Sequence, residues 1–580
     1  MVSTTNSWWR TDAMVWGAHG WSIELRGDEL AEIRYDGRML LRAVRAAVRD
    51  RGWLTVPVRV LSTDAESEAL TLQLRHEGLG ARIDSTLRVH ALAGELTISW
   101  EALNAEVFHT CRTGLVVLHP ASDAGRPVDV GHADGSVERS AFPRSIRPHQ
   151  PIMDIRALRV DDLFEVEFAG DVFEMEDQRN WTDASFKTYS RPLGLPYPYL
   201  LDAGERVEQS LTLRLLGSAA EAAESDSALP EVVTLSEGGV FPEVGVEAST
   251  SPDPVPPSDA GAFRVVELNL TTPNWSAALD RAAADRVPLD VRLVTDGEER
   301  TLLDAVRALA DVAEHPGVAR LTAFDAAEHV SDAGTVAALR AALSAAGLSV
   351  PVLAGARSHF TELNREQARI ARDVDGVVVN TTPLFHTLDT EQLLEAVAMQ
   401  RLVAEQSVAI ADGLPVHIGP VSLRPRFNNV ATTAEPAPTR ADLSEGYGAE
   451  FTGASDARQT APELGAWVIA SAAALAVSGV ASVSWFETWG PRGLKSTAGR
   501  TAAAEAVDAL IALRGGQLLT GASPDGLIWA IGSRTDTGDT VLVANLDRVA
   551  RRVMVPGVGE LSIDAGEWVR VSTGDRSAAR

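Results

Sequence analysis

Apolar and polar residues alternate with a period of two along much of residues 1–231. Successive side chains of a strand point to opposite faces, so this alternation is typical of half-buried strands. Many such strands in series predict an N-terminal β-sandwich over residues 1–231, which ends in a small, acidic linker from Gly217 to Glu231. The clearest alternating runs are residues 21–37, 69–78, 81–103, 163–175 and 206–217.

The period changes after residue 231, where short β-branched runs alternate with Ala- and Leu-rich stretches of helical character. Strands that alternate with helices predict a (β/α)8 TIM-like barrel over residues 232–500. Prolines within residues 250–262 forbid a regular helix after the first run, so a linker and only seven strands stay an alternative. The eight candidate strands are residues 244–249, 263–270, 289–294, 319–324, 350–355, 376–380, 416–423 and 482–487.

The end of the chain returns to strand-like alternation, which predicts a small C-terminal β-sandwich over residues 501–580. The predicted fold class is therefore multidomain, α/β and β. One apolar segment, residues 466–486, is long enough to cross a membrane. Ser and Ala are frequent in it, Gly479 interrupts it and its end resembles a strand, so we expect a buried helix followed by a buried strand.

The composition narrows the range of partners. The 580 residues carry a net charge of −28 and no cluster of Lys and Arg, which argues against binding to nucleic acid or to an anionic membrane. The single cysteine, Cys111, permits no intrachain disulfide, and the N-terminus lacks the regions of a secretory signal. We expect a cytoplasmic protein with a small-molecule partner, and the oligomeric state stays open.

Functional side chains of a (β/α)8 barrel lie at the carboxyl ends of its strands. A carboxylate or an imidazole can take a proton from water, a guanidinium can stabilise an oxyanion, and Trp offers a flat face to a sugar-like ring. Together they suit hydrolysis of a polyhydroxylated substrate, although each residue could instead form an ion pair, fix a loop or cap a helix. The candidates at the strand ends are Asn364, His386, Arg424, Arg426, Asn428, Glu487 and Trp489.

One stretch of the N-terminal domain, residues 176–189 (EDQRNWTDASFKTY), carries more hydrogen-bonding groups than a surface loop needs. We expect it to fold back onto the barrel, where Arg179, Asn180, Asp183 and Lys187 bind substrate hydroxyls or brace the barrel loops. Both roles require satisfied polar groups, because an unpaired buried group costs about 1–3 kcal/mol. The sequence shows no phosphate-loop or zinc motif, so we expect neither a cofactor nor a metal, although a metal site built from scattered histidines stays an alternative.

Several segments together resemble the D-apionate lactonase family. The resemblance runs along nearly the whole chain and implies the same order of β-sandwich, barrel and small β-domain. It also implies an enzyme that hydrolyses the lactone of a branched five-carbon aldonic acid, in the breakdown of the plant sugar apiose. The segments are residues 112–120 (RTGLVVLHP), 148–156 (PHQPIMDIR), 176–189 with the following RPLGLPYPY, 360–365 (FTELNR), 422–428 (SLRPRFN) and 487–493 (ETWGPRG).

The residues and the resemblance lead to one hypothesis, a lactonase, which is a carboxylic-ester hydrolase. Glu487 would act as general base or nucleophile, and Arg424 or Arg426 would stabilise the oxyanion. His386 would help to protonate the leaving alkoxide, and an Arg or Lys would hold the product carboxylate.

Two other functions stay open from the sequence. A glycoside hydrolase on the same barrel would need two carboxylates, and Glu487 with Glu362 or Asp325 is the candidate pair. A non-catalytic carbohydrate-binding protein would keep Trp489 and the arginines and would tolerate the loss of the Glu487 charge.

Overall fold

The structure is a computed structural model that describes residues 9, 13–217, 230–314, 316–427, 430, 443–444, 446 and 455–573. Strands β1 to β17 of the N-terminal domain form one continuous network of antiparallel hydrogen bonding. Their bounds are β1 Met14–Ala18, β2 Trp21–Arg26, β3 Glu29–Tyr35, β4 Arg38–Asp50, β5 Val58–Ala65, β6 Ala69–Gly78, β7 Ala81–Leu92, β8 Glu95–Asn104, β9 Phe108–Pro120, β10 Pro127–His132, β11 Val137–Ala141, β12 Ile152–Val160, β13 Phe164–Ala169, β14 Phe173–Asp177, β15 Ser185–Ser190, β16 Tyr199–Leu201 and β17 Arg206–Leu215.

The alternation of apolar and polar residues in the sequence corresponds to an alternation of buried and exposed side chains in these strands. Along β7 every second side chain is buried, and Leu87 and Val89 pack into a core that also contains Trp100 of β8. The same period in β6, β8 and β17 places their apolar residues in that core. The prediction of a sheet-rich N-terminal domain is therefore confirmed.

Parallel strands close into a barrel in the middle of the chain, and within the described residues there are eight of them. Strand β27 pairs with β20, which closes the ring, so the alternative with seven strands is wrong. Residues 250–262 connect β20 to β21 without a helix, as their prolines require. The strands are β20 Glu243–Glu247, β21 Arg264–Asn269, β22 Leu289–Thr295, β23 Val318–Asp325, β24 Val352–Gly355, β25 Gly376–Val379, β26 Val416–Val421 and β27 Val480–Glu487.

Helices cover the outside of the barrel and are delimited by their own sequence. Helix α3, for example, is capped at its N-terminus by Asp332, whose carboxylate accepts a hydrogen bond from the Thr335 N–H at 2.8 Å. At its C-terminus it is capped by Gly347 in a left-handed conformation. The helices are α1 Trp275–Ala284, α2 Glu299–Val312, α3 Ala333–Ala346, α4 Phe360–Arg365, α5 Thr390–Ala411, α6 Leu464–Leu475 and α7 Ala502–Ile511.

The apolar segment 466–486 is a buried helix followed by a buried strand, as expected. It comprises most of α6, whose residues are all buried, and most of β27. Trp467 donates its indole N–H to the Leu393 carbonyl at 2.8 Å, which ties α6 to α5. None of the helices in the described ranges is both long enough and apolar enough to cross a membrane.

The C-terminal sheets include strands from both sides of the barrel. Strand β18 pairs with β33, and β19 pairs with β30, although about 300 positions separate the partners. Helix α7, which follows the predicted boundary at residue 500, packs against α6 of the barrel. The predicted boundaries at residues 231 and 500 stay predictions. The strands of these sheets are β18 Glu231–Val232, β19 Ser236–Val240, β30 Gln517–Ala522, β31 Ile528–Thr535, β32 Gly538–Asn545, β33 Arg551–Val555, β34 Gly559–Ile563 and β35 Trp568–Ser572. Strands β28 Lys495–Ser496 and β29 Gly499–Arg500 pair only with each other among the described residues.

The N-terminal domain touches the barrel through residues 176–189. Thr182 and Thr381, which follows β25, are hydrogen-bonded through their hydroxyls at 2.9 Å. Asn364 of α4 donates to the side-chain oxygen of Asn180 at 2.8 Å. Because α4 and Thr381 follow the carboxyl ends of β24 and β25, the stretch lies at the end of the barrel that carries the predicted site.

Candidate active site

The predicted site residues are distributed over two cavities. The first, called the mouth cavity, lies at the carboxyl ends of β20 and β27. The sequence predicted two of its charged residues, Glu487 and Arg426. The charged side chains that line it are Glu247, Glu267, Arg426, Glu487 and Arg492.

Glu487 ends β27 and is held by its neighbours. Its carboxylate accepts hydrogen bonds from the Thr250 hydroxyl at 2.7 Å and from the Thr250 N–H at 3.0 Å. Arg492 adds an ion pair in which Nε lies 2.7 Å from the same carboxylate. Both oxygens are therefore engaged, and the role of Glu487 as a base stays a prediction.

Two carboxylates of the mouth cavity were missed by the sequence analysis. Arg426 forms ion pairs with both Glu247, at the end of β20, and Glu267, within β21. Arg357 donates twice to Glu267, at 2.7 and 3.1 Å. A charged residue inside the apolar run 265–268 was the available signal, because parallel barrel strands are usually apolar throughout.

The second cavity, called the interdomain cavity, lies between the N-terminal domain and the loop after β25. Strands β4 and β9 supply much of its lining, and β15 supplies Lys187. Three residues that the sequence predicted meet here, although Asp183 and His386 are 203 positions apart. The ionisable side chains that line it are Asp28, Glu29, Arg42, Arg45, Arg49, His76, Arg112, Asp183, Lys187 and His386.

Asp183 and His386 form a hydrogen-bonded pair in the wall of this cavity. Nδ1 of His386 lies 2.7 Å from a carboxylate oxygen of Asp183, and Nε2 makes no hydrogen bond to any described residue. Trp181 packs edge-on against the imidazole and helps to fix its orientation. Burial lowers the pKa of His386 below its ordinary value, so the imidazole is neutral near pH 7 and Nε2 can accept a proton.

Lys187 supplies a positive charge to the same cavity. Its Nζ lies 2.5 Å from Glu176, and burial lowers the pKa of Lys187 to about 8 although that carboxylate opposes the shift. Burial alone would raise the pKa of Glu176, but the nearby ammonium holds it well below its usual range. The pair is therefore charged near pH 7, and the ammonium is close to its titration range.

Three of the predicted substrate-binding residues, Arg179, Asn180 and Asn364, line neither cavity and instead make structural contacts. Arg179 is 1% exposed, pairs with Asp177 through two contacts of 2.7 Å and donates to the backbone carbonyls of residues 143–145. Asn180 and Asn364 are hydrogen-bonded to each other across the interface. Asn180 and Asn364 thus brace the interface, whereas the contacts of Arg179 lie within the N-terminal domain. The binding of substrate by these residues stays a prediction.

Arg424 and Trp489, two further strand-end candidates, lie away from both linings. Arg424 donates to the Ser455 carbonyl at 3.0 Å, so of the two arginines after β26 only Arg426 faces the mouth cavity. Trp489 is half-buried, and its carbonyl accepts a hydrogen bond from Ser249. Asn428 lies outside the described residues.

The carboxylates considered as partners of Glu487 in a glycoside hydrolase have local roles. Asp325 accepts hydrogen bonds from two backbone N–H groups of the following turn, each at 2.8 Å. Glu362 accepts from the His359 N–H at 2.9 Å and caps α4. Burial raises the pKa of Glu362. These contacts give both carboxylates a structural role, Asp325 in a turn and Glu362 in a helix cap.

Comparison with known proteins shows which family the chain belongs to. Residues 3–218 match a model of the N-terminal domain of D-apionate lactonase, and residues 260–515 match a model of its TIM barrel domain. A curated D-apionate lactonase from Brucella anthropi is 31% identical over 450 residues, which are 70% of this chain and 72% of the relative. The chain belongs to the D-apionate lactonase family. As a member of that family it is a lactonase, and hence a carboxylic-ester hydrolase.

Solved structures resemble this lactonase much more weakly. A galactose mutarotase-like protein from Lactobacillus casei is 10% identical with a TM-score of 0.26, and the match covers 35% of this chain and 99% of that one. A variant of a glycoside hydrolase family 97 enzyme from Pseudoalteromonas sp. strain K8 is 9% identical with a TM-score of 0.26, over 97% and 96% of the chains. Similarity this low carries no argument about the activity of the lactonase.

Proposed function

We propose that this lactonase opens a sugar-acid lactone such as D-apionolactone in the interdomain cavity. The observation that carries the proposal is the Asp183–His386 pair, 2.7 Å apart, whose Nε2 has no partner among the described residues and which shares a cavity with Lys187. A neutral imidazole oriented by a carboxylate is suited to activating water for ester hydrolysis. The family supports the choice of lactone and a role in apiose breakdown, and the single cysteine supports a cytoplasmic location.

The side chains divide the reaction between them. Water attacks the carbonyl carbon of the lactone while Nε2 of His386 removes its proton, and Asp183 stabilises the imidazolium that forms. Lys187 stabilises the negative charge that develops on the carbonyl oxygen. The bond between the carbonyl carbon and the ring oxygen then breaks, and His386 returns its proton to the ring oxygen. The new carboxylic acid ionises and releases a proton to solvent.

The mouth cavity is the second candidate location for the same reaction, because barrel enzymes carry their active sites at this end of the strands. Its carboxylates are already paired with the arginines around them, as Glu487 is with Arg492 and Glu267 is with Arg357. In the interdomain cavity, by contrast, Nε2 of the lining residue His386 has no hydrogen-bond partner among the described residues. We therefore place the chemistry there.

The activity is tested by measuring acid release when D-apionolactone is added to the purified protein. Common aldonolactones and aryl glycosides serve as comparison substrates, and the spontaneous rate is subtracted. We expect D-apionolactone to be opened faster than the other lactones and the glycosides to be inert. Cleavage of a glycoside without opening of any lactone would contradict the proposal and favour a glycoside hydrolase.

Turnover is expected to be highest between about pH 6.5 and about pH 8. Burial lowers the pKa of His386, so kcat/KM should fall only as the pH drops below the ordinary histidine value of about 6.5. Burial lowers the pKa of Lys187 to about 8, so the ammonium loses its charge as the pH rises through that value. The profile is measured from about pH 5 to about pH 9 with spontaneous hydrolysis subtracted.

The variant Lys187→Arg separates the two limbs of this profile. A guanidinium keeps its proton across the whole range, so the alkaline limb should move upward by more than one pH unit while the acid limb stays in place. An alkaline limb that is unchanged in Lys187→Arg would remove Lys187 from the reaction.

A further inference from the structure

Two arginines of the interdomain cavity form no ion pair with a carboxylate of any described residue. Arg49 of β4 and Arg112 of β9 are directly opposite each other in the antiparallel pairing of these strands, so both side chains extend from the same face of the sheet. Like charges at such positions repel, and burial together with Arg112 and Arg45 lowers the pKa of Arg49 to about 10. The arrangement is unfavourable unless an anion offsets it.

The other cations of the same cavity are neutralised by the protein itself. Arg42 pairs with Glu395 at 2.6 Å, and Arg45 lies 3.1 Å from Asp28. Lys187 has Glu176. Arg49 and Arg112 therefore differ from these cations, because no carboxylate of a described residue neutralises them.

Arg112 is positioned by aromatic rings. Its guanidinium carbon lies 3.6 Å from the centre of the Tyr189 ring and 5.3 Å from that of Trp53. The residue is 5% exposed, and its buried Nε has no hydrogen-bond partner in the described part of the chain. Stacking fixes the plane of the group and leaves its N–H donors unused.

Arg49 stands beside it with donors to spare. Its one side-chain hydrogen bond to a described residue runs from Nη1 to the Trp53 carbonyl at 3.2 Å. Buried charges in proteins are normally paired, because an uncompensated charge is costly to remove from water. Two adjacent guanidiniums that line a cavity without a carboxylate partner have the chemistry of an anion-binding site.

We infer that Arg49 and Arg112 form a carboxylate subsite that holds the open aldonate in the interdomain cavity. This inference rests on the proposed function, because ring opening creates a carboxylate where the neutral lactone has none. A planar guanidinium binds a carboxylate through two parallel hydrogen bonds, which the lactone carbonyl cannot match. The aldonate therefore binds more tightly than a neutral polyol of the same size and inhibits turnover competitively.

Calorimetric titration of the full-length protein with D-apionate tests the subsite without any turnover. The reduced, uncharged alditol of the same carbon skeleton and inorganic phosphate are titrated in parallel. Arg112→Met and Arg49→Met are each expected to weaken aldonate binding by about 10-fold to 100-fold, the range for losing a hydrogen bond to a charged group. Arg59→Met is the matched control, because Arg59 is a surface residue whose side chain is 64% exposed.

The outcomes separate the possible ligands. Aldonate affinity at the wild-type level in both Arg49→Met and Arg112→Met would overturn the subsite. Tighter binding of phosphate than of aldonate would overturn the assignment to a carboxylate. If Arg112→Met does not fold, as judged by circular dichroism, Arg49→Met and Arg112→Lys decide the matter, and Arg112→Lys should lose affinity because an ammonium cannot bind in the bidentate mode.

The test is also independent of the proposed catalytic step. Full turnover in His386→Gln would contradict the proposed reaction site. It would not affect the aldonate-binding test of the subsite. Loss of turnover in His386→Gln together with unweakened aldonate binding in the arginine variants would keep the reaction and reject the subsite.

Discussion

Replacement of His386 by Gln is expected to lower kcat for lactone opening by about a thousandfold, within the range attributed to general acid–base catalysis. Gln keeps a polar side chain of similar size but cannot exchange a proton near neutral pH. Because the base acts in the chemical step, KM should change much less than kcat. The measurement is acid release at saturating lactone, with the spontaneous rate subtracted.

Two control variants make this result specific. His90→Gln is the matched substitution at an exposed position of β7, and it should retain full activity. Glu487→Gln alters the mouth cavity, and if the proposed site is correct it should reduce kcat far less than His386→Gln does. Wild-type turnover in His386→Gln together with a large loss in Glu487→Gln would move the reaction to the mouth cavity.

Asp183→Asn should produce a smaller loss than His386→Gln. The amide can still contact Nδ1, but it no longer stabilises the imidazolium and can favour the wrong tautomer of the ring. A decrease of about 10-fold to 100-fold in kcat is expected, with the acid limb of the pH profile moved further downward, because a negative charge next to the ring has been removed. An acid limb that does not move would mean that the observed limb belongs to another group.

Replacement of Arg179 by Met is expected to destabilise the protein by about 3–5 kcal/mol, the usual cost of breaking a buried ion pair. Asp177 and Arg179 are each 1% exposed, and the variant leaves the Asp177 carboxylate without its guanidinium. It also leaves backbone carbonyls of residues 143–145 without their donor. The midpoint of thermal unfolding should fall on the order of 10 °C.

Comparison with two other variants identifies the cause of that loss. Arg300→Met removes an arginine whose side chain is 88% exposed, so its stability should change by less than about 0.5 kcal/mol. The double variant Asp177→Leu, Arg179→Met should recover part of the loss, because it removes the buried charge as well as its partner. A thermal midpoint for Arg179→Met equal to that of Arg300→Met would contradict the stabilising role of the Asp177–Arg179 pair.

Much of the fold could be predicted because its signals are local. Alternation in β7 and the apolar runs of the barrel strands reflect which side chains are buried, and a strand or helix imposes that period on its own residues. The prolines of residues 250–262 likewise correctly predicted the absence of a helix after β20. Pairing of β18 and β19 with strands beyond the barrel had no such signal, because hydrogen bonding between distant strands depends on topology.

The candidate site was only partly predictable, because it too depends on contacts between residues that are distant in the chain. Asp183, Lys187 and His386 were recognised as polar residues in chemically unusual surroundings, and Arg426 and Glu487 as strand-end residues. Their separation into two cavities could not be foreseen, since strand ends around one barrel mouth suggest a single site. Arg49 and Arg112 were not predicted as site residues, because nothing in the sequence near either of them shows that they lie opposite each other in neighbouring strands.

The sequence by itself determined the strands, the helices, the family and the reaction class, since these follow from local periodicity and from motifs that are contiguous in the chain. Only the tertiary structure decided which side chains meet. The register between β4 and β9 places Arg49 opposite Arg112, and the packing of residues 176–189 on the barrel brings Asp183 to His386. Charge balance and pKa depend on such contacts, because electrostatic interactions and burial act through space and not along the chain.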